Sequence, residues 1–366
     1  MTRYRKLFAP PIFAISFALL LLIFDGCGNE EKASLPNTRE VTDMAGRKMV
    51  VPDTVRRVYV NRPGSVLMYA IAPELLVCRS LWTTDVSRKF MLEGYLQLPY
   101  VEGSAEEIIK LKPDVIISYF KVNPQAKDEA DKLSEKTGIP VFMVEMDMQK
   151  YDETFELLGN LLNRKTQTDR MSAFMHTYLD SIRRIAPKIP ADEKVRVYYA
   201  EGERGLNTDP SGSFHSEILE VVGAKNVADV APLSGKGMSQ VSMEQILMWK
   251  PDVVLVWTGM GATLATYEHI MNDAVWAKIH AVSEKKVYQI PYQPFGWFDR
   301  PPGTNRILGA IWTAQLLYPE RYPFDMEAIT REYFDIFYHH PLSQEALHEV
   351  LHPNPKGLEL SKFDKK

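Results

Sequence analysis

The stretch EEIIKLKPDVIISYF at residues 106–120 decides the fold, because the chain repeats it as EQILMWKPDVVLVWT at residues 244–258. Superposing Lys112 on Lys250 brings Glu106 onto Glu244, Ile108 onto Ile246, Pro113 onto Pro251 and Val115 onto Val253. Each copy is preceded by a serine, Ser104 or Ser242, with Glu107 or Gln245 three places on. That is the Ser-x-x-Glu/Gln capping box, in which two side chains satisfy amide donors left free at a helix start. Lys-Pro-Asp then turns the chain into a β-branched run that reads as a buried strand. One such helix-to-strand corner is commonplace. One in each half of the chain predicts two similar α/β lobes.

The flanking segments agree. VTDMAGRKMVVPDTVRRVYV (residues 41–60) places a turn between short strand-like runs and then a strand at 58–60, followed by a helix, a proline turn and another strand in SVLMYAIAPELLVCRS. After the first corner come a helix near 124–137 and a strand at 141–144, and the second half replays this order from VRVYYA to SEKKVYQIP. Strands alternating with helices imply mostly parallel sheets. Between the halves, Phe155, Leu158, Leu162, Met171, Phe174, Tyr178, Ile182 and Ile185 recur at helical spacing. Asn163 to Gln167 breaks this into two helices, and Pro187 and Pro190 stop the second. A helix from 167 to 186 would span roughly 30 Å, about the width of a small domain. The expected fold is α/β, with Rossmann-like lobes at 41–150 and 187–366, terminal helices included in the latter, joined by linker helices at 151–186.

The chain begins with Arg3, Arg5 and Lys6, runs apolar to Phe24 and reaches Gly26-Cys27. Residues 1–26 read as a secretory signal, Cys27 as a lipidation site, and 27–40 as a polar tether. Phe24 and Asp25 stand where a lipoprotein signal usually has Leu and a small residue, so an uncleaved anchor or an ordinary signal are alternatives. All three place the folded part outside the cytoplasm. The 366 residues are 45% hydrophobic and 25% charged, with a net charge of −4. This is enough chain for two cores, and with no basic cluster it argues against a nucleic-acid partner. Cys78 is the one cysteine beyond Cys27; no internal disulfide is expected, and LLVC suggests a small buried hydrophobe. No transmembrane helix follows the leader, so the chain does not itself transport.

In open α/β sheets, ligands bind beyond the carboxyl ends of the strands. In the first half those loops are NRPGS, WTTD and FKVNP, which supply Arg62, Trp82 and Lys121. In the second they are EGERGLNTDPSGSFHS, WTGMG and YQPFGWFDR, which supply Arg204, His215, Trp257, Tyr292, Trp297 and Arg300. Aromatic faces with cations suit a flat anionic ligand such as a ferric siderophore, haem or a corrinoid. His215 and Tyr292 are the candidates for completing an iron shell that a chelator leaves open, although a loop histidine is commonly just hydrogen-bonded.

The order of VTDMAGRKMVVP after a signal, EEIIKLKPDVII, the linker helix, GSFHSEILEVVGAKNVAD, EQILMWKPDVVLV and YQPFGWFDRPPGTNRILGAIWTAQLLYPE resembles the iron-siderophore and vitamin B12 class of ABC-transporter substrate-binding proteins. The likeness runs from Val41 to about Leu351. It implies a class III periplasmic-binding-protein fold with ligand held between lobes bridged by a rigid helix, and small closure on binding. It also implies a monomeric receptor rather than an enzyme, with no intrinsic cofactor and with an ABC permease and its ATPase as partners. In that class the acid on each corner helix docks onto permease arginines, a role carried here onto Glu106 and Glu244. The alternative for either acid is simple stabilisation by the helix dipole. The expected cargo is a ferric siderophore or related iron chelate, with haem, cobalamin, a small metal complex or an oxyanion as alternatives.

Three motifs compete with this reading. HEVLH (residues 348–352) matches the His-Glu-x-x-His pattern of zinc hydrolases, with Glu349 as base. Pro353 ends that helix, a third ligand would have to come from elsewhere since the nearby Glu359 sits in a tail that reads as a loose terminus, and Leu347, Val350 and Leu351 equally read as a packed terminal helix. GMGATL (residues 259–264) has Leu264 where a dinucleotide loop needs its third glycine. The serines beside His215 are neighbours in sequence, which does not make a catalytic geometry.

Overall fold

Ser104 and Ser242 cap their helices as expected in the computed structural model, which describes residues 37–233, 237–257 and 263–352. The signal, Cys27, the tether before Asn37, most of the GMGATL loop and Glu359 lie outside the described residues. Each serine hydroxyl accepts the amide three residues on, and Glu107 and Gln245 reach back to the serine amides. The helices run Ala105–Leu111 and Met243–Trp249, and each ends in a left-handed lysine, Lys112 at φ 47° and Lys250 at φ 46°. Asp114 then accepts the Arg57 amide at 2.9 Å, and Asp252 the Arg196 amide at 2.8 Å. The aspartate of each Lys-Pro-Asp thus clamps its corner to the start of the neighbouring strand.

The N-terminal sheet is parallel, with Val115–Phe120 between Val58–Val60 and Val141–Glu145. The C-terminal sheet is also parallel, in the order Val287–Gln289, Val253–Val256, Arg196–Ala200, Lys225–Asn226. An antiparallel hairpin, Thr38–Thr42 with Lys48–Pro52, precedes them and starts inside the stretch read as tether. Asp43 ties it down by accepting the Arg47 and Met143 amides, both at 3.0 Å. Cys78 is buried, and burial pushes its thiol up to about 12.

The linker is two helices, Tyr151–Leu162 and Lys165–Ile185, broken at Asn163, which takes φ 55°. They pack closely where Gly159, having no side chain, meets Thr168. The helix Met326–Phe337 packs on Ser65–Ile71 of the first lobe, a helix buried on every side. Gln167 joins the two by donating to Ala70 O and Ile336 O, both at 2.8 Å, and Tyr69 donates to Tyr338 O at 3.2 Å. The apolar stripe of Ile329, Tyr333, Phe334 and Phe337 needs a buried partner, and it finds Phe174 of the linker against Tyr333 and Phe337 and Phe90 of the first lobe against Phe334. No described helix is long and apolar enough to cross a membrane.

Candidate functional site

Loops from the carboxyl ends of both sheets meet in a cleft. One cavity of ≈ 190 Å³ is lined by Arg62 and Trp82 from the first lobe and Trp257, Tyr292 and Arg300 from the second. The Arg62 guanidinium lies 5.0 Å from the Trp82 ring centroid, and that of Arg300 lies 5.4 Å from Trp257. Each lobe therefore presents one arginine over one tryptophan, a geometry in which the ring quadrupole steadies the cation. Arg62 is further held by Ser80 O at 3.2 Å and Glu102 at 2.7 Å. Trp257 is 8% exposed and its Nε1–H has no acceptor among the described residues. A buried donor left this way costs ~1–3 kcal/mol, which an oxygen of a bound ligand would recover.

Behind the cavity, Arg300 is ringed by acids. Its Nη1 lies 2.7 Å from Glu201 and touches Asp299, while Nη2 lies 3.2 Å from Asp209. Tyr199 OH donates to Asp299 at 3.0 Å, and His215 Nδ1 sits 2.9 Å from the other Asp299 oxygen. All three carboxylates are buried, so they cannot all carry a charge cheaply beside one guanidinium. Burial first, then the charge of Asp299, pushes Glu201 up to about 10, against the pull of Arg300. Burial also works against Asp209, but the hydrogen bond from Glu201 and the charges of His215 and Arg300 outweigh it and hold Asp209 low. Glu201 is thus held neutral beside Asp209 and Asp299. Glu201 Oε2 has no hydrogen-bond partner among the described residues.

Asp209, His215 and Asp299 could offer a metal three atoms within 4.8 Å. Arg300 already supplies the positive charge between the two carboxylates, so the arrangement reads as a guanidinium site. The other ring nitrogen, His215 Nε2, is buried without a partner among the described residues. It belongs to a residue lining a second cleft cavity of ≈ 460 Å³, along with Lys121, Phe214, Glu217 and Leu233. Phe214 stacks on His215 with centroids 3.8 Å apart.

The structure therefore gathers Arg62, Trp82, Trp257, Tyr292 and Arg300 in one cavity and Lys121 and His215 in another. His215 and Tyr292, expected to share a metal, line different cavities. Trp297 lines neither: it is 1% exposed, with Nε1 donating to Gln293 O at 2.9 Å beneath the loop. Arg204 is exposed on a tight turn closed by Glu201 and Asn207, with Gly202 and Gly205 both at positive φ, and faces Asp273 electrostatically. Glu201, Asp209 and Asp299 escaped the sequence reading because a site for an anion was not expected to contain acids. The pairing of Asp299 with Arg300 in FDR was the available signal.

Glu106 and Glu244 are exposed on the first turns of their helices. Their own backbone amides hold both below the usual carboxylate range, helped at Glu106 by Lys136, 3.3 Å away, and at Glu244 by Ser242. In HEVLH, His348 and His352 are exposed with rings 4.7 Å apart, but Glu349 is taken up by Lys89 at 3.2 Å and Gln293 at 3.4 Å. No third metal ligand joins that pair among the described residues.

The family model for periplasmic binding proteins matches residues 67–294. The chain belongs to the periplasmic binding protein family. The molybdate-binding protein MolA of Haemophilus influenzae is 28% identical over 333 residues, spanning 82% of this chain and 91% of its own. An ABC transporter solute binding protein from Sulfurospirillum deleyianum superposes with a TM-score of 0.78 at 33% identity, covering 85% of this chain and 98% of its own. The triscatecholate siderophore binding protein FeuA of Bacillus subtilis, complexed with ferri-bacillibactin, shares the fold at 14% identity and a TM-score of 0.53, over 77% and 98% of the chains. This periplasmic binding protein has the class III architecture and is a substrate-binding protein of an ABC importer, a component that works with a permease and its ATPase. Its relatives are solute-binding transport proteins and not enzymes.

Proposed function

We propose that the protein captures a small oxyanion, molybdate foremost, between Arg62 and Arg300 and delivers it to the permease. The observation that carries this is a pair of tryptophan-backed arginines, one per lobe, facing a single cavity of ≈ 190 Å³. That volume is below the ~300–1,000 Å³ usual for organic ligands. The Trp257 donor, without an acceptor among the described residues, asks for an oxygen, and the proton on Glu201 removes one negative charge from behind Arg300. The molybdate named for the Haemophilus relative is of this chemical class. A ferric siderophore is the second reading, favoured by the larger cavity, where Phe214 and Leu233 leave 36% and 56% of their surfaces exposed beside the unpaired His215 Nε2. In either case the metal arrives as cargo and no resident cofactor is expected.

Tryptophan fluorescence of the full chain, titrated with molybdate, tungstate, sulfate, ferric catecholates and hydroxamates, haem and cobalamin, separates these readings. Saturable quenching by molybdate and tungstate, abolished in Arg62→Ala, is the expected result. Quenching by ferric chelates alone would transfer the assignment to the siderophore.

The same reading places the protein outside the cytoplasm as a monomer anchored through a lipid on Cys27, docking by Glu106 and Glu244 onto basic residues of the permease. The two sides are unequal. Glu106 is paired with Lys136 and has Lys110 one turn on, whereas Glu244 has no ion-pair partner among the described residues and Met248, 73% exposed, stands at the equivalent place. Uptake should accordingly fall further in Glu244→Ala than in Glu106→Ala, with cargo affinity unchanged in both. Equal uptake by parent and both variants would leave the helix dipole as the sole role of these acids.

A further inference from the structure

The floor of the cleft contains a buried polar knot that draws on both lobes. Arg306, on the helix Asn305–Leu317 of the second lobe, is 0% exposed. Its Nη1 donates to Met146 O of the first lobe at 3.3 Å, and its Nη2 donates to Phe214 O at 3.1 Å and to the Glu217 carboxylate. Beside it, Tyr151 at the head of the linker donates to Gly303 O of the second lobe at 2.9 Å. Tyr119, at the end of the central strand of the first lobe, lies 3.0 Å from the Tyr151 hydroxyl and donates to Met146 O at 3.4 Å. Both tyrosines are fully buried. Met146, Phe214 and Glu217, the groups that Arg306 holds, line the larger cavity directly above.

We propose that Arg306 is a positioning residue that sets the width of the cleft by fastening the two lobes at its floor. A helical linker alone fixes the distance between lobes but leaves a twist about its axis. The Arg306–Met146 bond crosses from lobe to lobe and the Tyr151–Gly303 bond ties the head of the linker to the second lobe, and at the floor of the cleft they restrict that freedom. Opening the floor would strip buried donors and carbonyls of their partners with no replacement, so the lobes keep one relative orientation. Cargo then enters a preformed cleft. The proposal uses the assignment of the cleft as the cargo site only for its consequence; the fastening itself does not depend on what is bound.

Distances between spin labels on the full-length protein test it. Lys127→Cys and Glu268→Cys place labels on exposed faces of the two lobes, in a Cys27→Ser background. Cys78, buried and with its thiol pushed up to about 12, stays unlabelled. The parent should give one narrow distribution, unmoved by molybdate. Arg306→Met, which keeps the buried stem, should lose that single narrow peak, and Arg306→Lys, still able to reach one carbonyl, should recover it in part. A folded Arg306→Met with the parental distribution would overturn the proposal. If Arg306→Met does not fold, Tyr151→Phe decides, since it removes one hydroxyl: broadening supports the fastening and a parental peak overturns it. Failure of the cargo assignment would show separately, as absent quenching with these distances unaffected.

Discussion

Arg300→Ala is expected to abolish cargo binding and to destabilise the folded protein by about 3–5 kcal/mol, the usual cost of removing one partner from a buried ion pair. The stability loss arises because Asp209, Asp299 and Glu201 have 1%, 0% and 0% of their surfaces exposed and share this one guanidinium. Without it, Asp299 keeps Tyr199 and His215 and Asp209 keeps Ser213, but the local charge has no strong counterpart. The buried acids must then hold protons that they release on unfolding. An acid whose folded pKa lies above its unfolded value contributes stability at low pH and loses it as pH rises. Urea melts at pH 5 and pH 8 should therefore show a larger deficit at pH 8. Arg300→Lys should be only a partial replacement, since a compact ammonium cannot span three carboxylates or lie flat over Trp257. A variant as stable as the parent at pH 8 would show that the acids do not depend on Arg300.

The duplicated corner was legible in the sequence because its determinants are local. The capping serine, the residue three places on, the proline and the β-branched run all act within one helix and one strand. What the pattern hid is that the turn itself falls to lysines with left-handed backbones, and that each aspartate clamps a neighbouring strand. Lysine carries no αL signature comparable to glycine, and the clamp is made between residues distant in sequence. The terminal helix Gln344–Leu351 was legible in the same partial way. Leu347, Val350 and Leu351 announced a buried face, and Leu347 and Val350 are fully buried, but nothing in the local pattern says that this helix packs on Met326–Phe337.

The cleft divides along similar lines. Strand-end position was enough to bring Arg62, Trp82, Trp257, Tyr292 and Arg300 to one cavity, because the sheets aim those loops. Position within a loop was not enough. Arg204 is carried off on a tight turn, and Trp297 packs under its own loop to satisfy its indole N–H. The acids around Arg300 were least accessible of all, because whether a carboxyl is a surface charge or a buried neutral acid depends on groups brought together by folding. Glu201 lies in the quoted loop EGERGLNTDPSGSFHS with nothing local to mark it.

Glu201→Gln tests that hidden acid directly and should make the protein more stable than the parent as the pH rises. The Gln amide reproduces the protonated side chain: its oxygen can accept from Arg300 and its NH₂ can donate to Asp209. In the parent, Glu201 keeps its proton in the folded state up to about 10, whereas the unfolded chain releases it near the ordinary glutamate value. The stability that this raised pKa contributes is therefore complete only below about pH 4.3 and is progressively lost up to the folded value. Gln has no proton to release on unfolding, so the other titrating groups cancel in the comparison and the difference isolates Glu201. At ~1.4 kcal/mol per pH unit, the variant gains up to about 4 kcal/mol on the parent between pH 5 and pH 8. Cargo affinity should stay close to parental at neutral pH, where both side chains are uncharged. Parallel stability curves for parent and variant across that range would mean that Glu201 is ionised at neutral pH, and that Arg300 faces three full negative charges.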